Sequence, residues 1–180
     1  MAIEKVKAYF KNYGMEDRVM EKDSSSATVE EAADVLGCEP GRIAKTLSFH
    51  LDEKVILIVT AGDKKIDNKK YRTEFGSKAH MLKFEEVELL VGHAVGGVCP
   101  FAVNEGVEVY LDESLKAYKT VYPAAGSGNS MIQLTIPDSV RNGSTCVNKV
   151  WRYQKFSLTC SGEYARVKNV LKHAEYKYIL

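Results

Sequence analysis

The chain has 180 residues, of which 45% are apolar and 27% charged, and 25 Lys and Arg against 24 Asp and Glu leave a formal net charge of +1. A chain of this length buries a core without disulfides or a metal. No apolar run approaches the ~18 residues of a membrane-spanning helix, and near-neutrality excludes the strongly basic footprint of a protein that grips long nucleic acid.

The first residues enter helical periodicity at once and carry no signal-peptide core, so a soluble, cytoplasmic protein is expected. Ile3, Val6, Tyr9, Phe10 and Tyr13 fall at spacings of three and four, which predicts an amphipathic helix stopped by Gly14. Residues 18–22 read as a short strand. Thr28 followed by Glu31 is a capping box, and Gly37 supplies a left-handed stop, so 28–37 is a well-signed helix. Residues 43–49 and 55–61 are β-branched or apolar runs separated by Asp52, Glu53 and Lys54, as in a hairpin. The second lacks alternation and should be buried on both faces. Residues 67–75 and 84–91 look helical, the latter with Val87, Leu90 and Val91 facing inward. Residues 107–111, 120–124 and 131–135 complete a strand set. Strands and helices mix without a βαβ repeat, which predicts an α+β or mixed-sheet fold.

Residues 1–135 carry 17 basic and 21 acidic side chains, whereas 136–180 carry 8 and 3. The tail is therefore a basic stretch. Within it 147–156 could be a strand, and Tyr164, Val167, Val170, Leu171, Ala174 and Tyr178 make a helical stripe. Cys38, Cys99, Cys146 and Cys160 show neither metal-ligand spacing nor a disulfide framework and read as reduced thiols.

Several groups carry candidate chemistry. Lys45 sits in an apolar strand, where its ammonium needs water, an anion or a carbonyl, although alternation could simply turn it to solvent. The stretch Gly92-His93-Ala94-Val95-Gly96-Gly97-Val98-Cys99-Pro100-Phe101 lets backbone amides approach a ligand closely, or is an ordinary connection. The same holds for Gly126-Ser127-Gly128-Asn129-Ser130. Cys99 beside His93 could form a thiol-imidazole nucleophile, or a packed cysteine with His93 capping the preceding helix. Asp63 and Asp67 could bind a cation or be surface charge at a helix start. No metal site is expected.

Taken together, 27–33 (Ala-Thr-Val-Glu-Glu-Ala-Ala), 43–47 (Ile-Ala-Lys-Thr-Leu), 96–100 (Gly-Gly-Val-Cys-Pro) and Gly126-Ser127 ahead of 131–134 (Met-Ile-Gln-Leu) resemble, in order and spacing, the YbaK/ProX family of aminoacyl-tRNA deacylases and prolyl-tRNA synthetase editing domains. The resemblance covers roughly residues 3–135. It implies an α+β fold with a mixed, barrel-like sheet and surrounding helices, in a 1–135 editing domain followed by an atypical C-terminal extension over 136–180. It also implies hydrolysis of the ester of a mischarged tRNA with no cofactor or metal, in association with prolyl-tRNA synthetase.

Lys45 falls on the family's key lysine, and Thr46 sits where YbaK-like members carry threonine. Gly96, Gly97 and Pro100 match the loop that closes over the aminoacyl end, Gly126 and Ser127 its glycine-rich turn, and Thr28 a pocket position. The expected substrate is Cys-tRNA(Pro), with Ala-tRNA(Pro) next. For a cysteinyl ester the resemblance implies attack by the substrate's own thiol, so that the protein supplies orientation and charge stabilisation. A non-catalytic module holding an aminoacyl end on a synthetase, and a thiol enzyme using Cys99, are the alternatives.

Overall fold

A computed structural model describes residues 2–135 and the backbone of 145–146. Four helices, α1 (Ala2–Lys11), α2 (Val29–Leu36), α3 (Asn68–Phe75) and α4 (Phe84–Val91), surround strands β1 (Val19–Glu21), β2 (Ile43–Leu51), β3 (Lys54–Ala61), β4 (His80–Met81), β5 (Glu108–Leu111), β6 (Thr120–Pro123), β7 (Ser130–Ile132), β8 (Leu134–Thr135) and β9 (Thr145–Cys146). The main sheet runs β8-β6-β2-β3-β5-β9 with β4 added beside β2, and β1 pairs β7 separately. The whole is an α+β fold with a mixed, curled half-barrel sheet. Among the described residues no helix is long and apolar enough to cross a membrane.

The β2–β3 hairpin is its centre. Ile56, Leu57, Ile58 and Val59 are all buried, as the lack of alternation requires of a strand covered on both faces. The turn is tighter than the three polar residues suggest, because Leu51 pairs with Lys54 and Asp52 takes a φ of 52°. Parallel pairing of β6 with β2 and of β5 with β3 then widens the sheet. Arg42 fastens β6, donating from Nε to the Thr120 carbonyl at 3.3 Å while its guanidinium lies 5.0 Å from the Tyr122 ring centre.

The two faces of the hairpin bury different groups. Ala44, Leu57, Val59 and Ala61 pack with Val87 and Val91 of α4. On the other face Phe49, Ile56 and Ile58 pack with Tyr71 of α3, and Ile43 packs with Ala32 and Ala33 of α2. Burying a Val, Ile or Phe side chain contributes about 1.5–3 kcal/mol, so both faces are strongly specified.

The expected strand over 131–135 is instead two strands, broken at exposed Gln133, because β7 turns to β1 while β8 turns to β6. Of the proposed extension 136–180, Thr145–Cys146 pairs in parallel with Tyr110 and Leu111 of β5. The strand expected over 147–156 and the helical stripe over 164–178 lie outside the described residues.

Candidate functional site

The local code around α2 is met in full. Thr28 accepts the Glu31 amide at 3.2 Å, Glu31 accepts the Thr28 amide at 3.3 Å, and Gly37 closes the helix at φ 61°. The Thr28 hydroxyl is thus spent on its own helix. α2 starts against the end of β3: a β-carbon on Gly62 would stand 2.6 Å from Val29 Cγ1 and 3.1 Å from the Ile43 carbonyl. That closeness presents the Gly62 carbonyl to Lys45, whose Nζ donates to it at 2.8 Å.

Strand alternation places Lys45 and Thr46 on opposite faces. Thr46 pairs across from Val59 on the α4 face, and its buried hydroxyl has no hydrogen-bond partner among the described residues. Lys45 lies on the α2 and α3 face, half-buried, where β6 runs out into the 124–130 turn, since Ala44 pairs with Pro123. Burial lowers its pKa, Asp63 and Glu30 oppose that by favouring the charge, and Lys65 adds to the lowering. An ammonium has three donors, and among the described residues Lys45 uses one. Two N–H groups remain to offer an ester oxygen or a phosphate.

Three loops converge through their backbones. Ser26 donates its amide to the Gly128 carbonyl at 2.7 Å, Lys22 its amide to the Asn129 carbonyl at 2.9 Å, and Asn129 Nδ2 donates back to the Lys22 carbonyl at 2.8 Å. The second loop enters from 94–97: a β-carbon on Gly96 would meet Ala27 Cβ at 3.2 Å, and one on Gly97 would meet the Ser127 backbone at 2.7 Å. Positive φ falls on Gly96 (92°) and Gly126 (95°), so Gly97 is required for closeness and not for backbone sign. The Ser127 hydroxyl is turned inward, 2.7 Å from Ser130 Oγ and 2.8 Å from Asn129 Oδ1. Pro100, which follows the second loop in the chain, is buried.

His93 and Cys99 do meet, at 3.5 Å, but not as a nucleophile and its base. His93 Nε2 lies 2.7 Å from the Phe101 carbonyl, which only a protonated nitrogen can approach as a donor, so the nitrogen facing the thiol is no acceptor. Burial pushes the Cys99 thiol up to about 12 and lowers the His93 pKa. Gly92, not His93, caps α4, at φ 92°. Asp67 caps α3 through the amides of Lys69 and Lys70, at 2.8 and 3.0 Å, and Asp63 accepts from Lys64 at 2.7 Å. Sequence reasoning missed Gly62, whose signal was a glycine directly following a buried strand. It also missed Gly41, against which the Tyr118 ring is pressed.

The half-barrel sheet, the half-buried Lys45 ammonium and the loops gathered through their backbones define an α+β protein. The sequence model of the "Aminoacyl-tRNA editing domain" matches residues 23–156, and the chain belongs to that family, of which YbaK and ProX are the type. It is 51% identical to "Uncharacterized protein YwhH" of Bacillus subtilis (strain 168) over 152 residues, 84% of this chain and 95% of that one. It is 30% identical to the "Putative Cys-tRNA(Pro)/Cys-tRNA(Cys) deacylase EbsC" of Enterococcus faecalis (strain ATCC 700802 / V583) over 141 residues, 77% of this chain and 82% of that one. A solved structure described as "a putative trans-editing enzyme for prolyl tRNA synthetase" superposes with a TM-score of 0.72 at 29% identity, covering 79% of this chain and 91% of that one.

Proposed function

We propose that the chain hydrolyses, in trans and in the cytoplasm, the ester that joins a wrong amino acid to the terminal ribose of tRNA, with Cys-tRNA(Pro) the first substrate and Ala-tRNA(Pro) the next. The observation that carries this reading is Lys45, a half-buried cation with one hydrogen bond among the described residues, next to the residue that pairs with Pro123 at the start of the 124–130 turn, in a chain of the editing family. Relatives whose names refer to Cys-tRNA(Pro) and to prolyl-tRNA synthetase support the choice of substrate and of partner enzyme.

Lys45 would donate to the ester oxygen on which charge develops, aided by the low water content around a half-buried group. Gly96, Gly97, Pro100, Gly126 and Ser127 would shape the cradle for the aminoacyl end. With a cysteinyl ester, the substrate's own thiol would bond to its carbonyl carbon as the ester C–O bond breaks, its proton passing to the departing ribose oxygen, and water would then open the cyclic thioester to free cysteine. The protein then needs no nucleophile of its own, which agrees with a Cys99 held neutral by burial.

The test is hydrolysis of a panel of charged tRNAs. Cys-tRNA(Pro) should be cleaved fastest, Ala-tRNA(Pro) more slowly and Pro-tRNA(Pro) least. Binding of all three without turnover would replace this reading with that of a module that holds an aminoacyl end without cleaving it.

A further inference from the structure

Residues 64–72 segregate charge in a way that the rest of the described chain does not. Lys64, Lys65, Lys69, Lys70 and Arg72 lie within nine positions, whereas the remainder of 1–135 holds 12 basic and 20 acidic residues. Asp67, the one acid of this stretch, is engaged by the first amides of α3, and Asp63 just before it is engaged by Lys64. Lys65, Lys69, Lys70 and Arg72 are exposed, and none of them enters an ion pair among the described residues.

The strip is also in the right place. It begins two residues after Gly62, whose carbonyl receives Lys45, and it continues into α3, which packs through Tyr71 on the face of the hairpin that bears Lys45. α3 has eight residues, about 12 Å of helix, enough to run beside several backbone phosphates. A row of unpaired cations in an otherwise acidic domain concentrates the local potential on one track leading away from the site.

We infer that Lys65, Lys69 and Lys70 form the surface that holds the phosphate backbone of the tRNA acceptor arm while its 3′ end reaches Lys45. This rests on the proposed function for the identity of the RNA. Lysines bind phosphates as point charges, so the strip fixes position and contributes affinity without reading sequence.

The experiment compares the full chain with the triple variant K65Q/K69Q/K70Q, whose melting curve is checked first. Binding of an uncharged acceptor-stem minihelix RNA ending in CCA is followed by fluorescence anisotropy from low to high KCl. Each lost phosphate contact should flatten the salt slope by about 0.9, so the triple variant should be shallower by about 2–3 and bind at least about ten-fold more weakly at moderate salt. An unchanged slope overturns the inference. So does an equal loss in the control K11Q/K78Q/K119Q, which would make the attraction diffuse. Loss of capture on phosphatidylserine vesicles with RNA binding intact would assign the strip to a lipid surface instead.

The two readings fail separately. Minihelix binding through the strip with no hydrolysis of any charged tRNA leaves this inference standing and removes the proposed function. Where hydrolysis is present, the double variant K69Q/K70Q, which leaves Lys65 beside Lys45, should cleave a 3′-aminoacyl CCA trinucleotide as the parent does and lose kcat/KM only on longer RNA.

Discussion

Gly97 lies so close to Ser127 that a β-carbon on the glycine would stand 2.7 Å from both the Cα and the amide nitrogen of the serine. Both neighbours are main chain, so no side-chain rotation relieves the contact. Gly97→Ala is expected to cost about 1–3 kcal/mol in a denaturant melt and to weaken substrate use with it, because the two loops must part. Gly128→Ala is the matched control: its β-carbon would meet Ala27 Cβ at an ordinary 3.6 Å, and it should cost less than about 1 kcal/mol. Equal stabilities for the two variants would contradict the packing.

Lys45→Ala should fold normally and lose about 10²-fold or more in deacylation of Cys-tRNA(Pro), the scale of one preorganised charge-stabilising donor. Burial lowers the pKa of this lysine, so its charge is lost as pH rises at a lower pH than for a free lysine. Its contribution to rate should accordingly shrink on the alkaline side, and the ratio of parent to variant rates should fall there. A variant with near-normal turnover at neutral pH would remove Lys45 from the mechanism.

Thr46→Val keeps the shape of the side chain while deleting a buried hydroxyl that has no partner among the described residues. Stability should stay level or rise by about 1 kcal/mol, since an unsatisfied buried group is a cost. Deacylation measured on the same preparation then reads whether that hydroxyl matters to substrate. A fall in rate together with raised stability would place it in contact with the aminoacyl end during turnover.

Cys99 should resist alkylation at pH 8 in the folded protein, because it is fully buried and its thiol is pushed up to about 12. A raised folded pKa contributes stability that is whole below the unfolded thiol pKa, near 8.5–9, and is lost as pH climbs toward 12. The fold should therefore weaken over that alkaline window, and Cys99→Ala should show a smaller slope there while retaining turnover per folded molecule. Inactivation by iodoacetamide that substrate prevents would reinstate a thiol mechanism.

Chain ends after Ser139 and after Phe156 should behave differently. The first removes β9, which pairs with Tyr110 and Leu111, and leaves the edge of β5 open in the main sheet. The Ser139 form is expected to melt lower and to associate in sedimentation, whereas the Phe156 form, ending where the family match ends, should keep the parent melting temperature. Equal melting temperatures would show that β9 contributes little.

What could be read in advance follows the range of the interactions. Thr28, Glu31 and Gly37 announce α2 because a cap is settled within ten residues, and the Leu51 to Lys54 hairpin is equally local. The parallel partners of β2 and β3 were not legible: Ile43 meets Tyr122 across nearly eighty residues, and a strand carries no mark of which distant strand it will join. For the same reason, alternation shows that Lys45 and Thr46 diverge without showing which of them meets α2 and α3 and which meets α4. The choice depends on Gly62, held against Val29, and on α2 before β2 and α3 and α4 after it, which pack on its two faces.

The contacts that gather the three loops run from amide to carbonyl at Ser26 and Gly128 and at Lys22 and Asn129, and by bare backbone approach at Gly97 and Ser127. A cradle assembled from main chain keeps its form whatever hangs from it, provided the glycines stay. An exposed position on that rim such as Ser24 can therefore be exchanged, whereas Ser25, which donates to Glu31 at 2.7 Å, steadies the α2 cap. Under the proposed function, such a frame would be refitted to a different amino acid without being rebuilt.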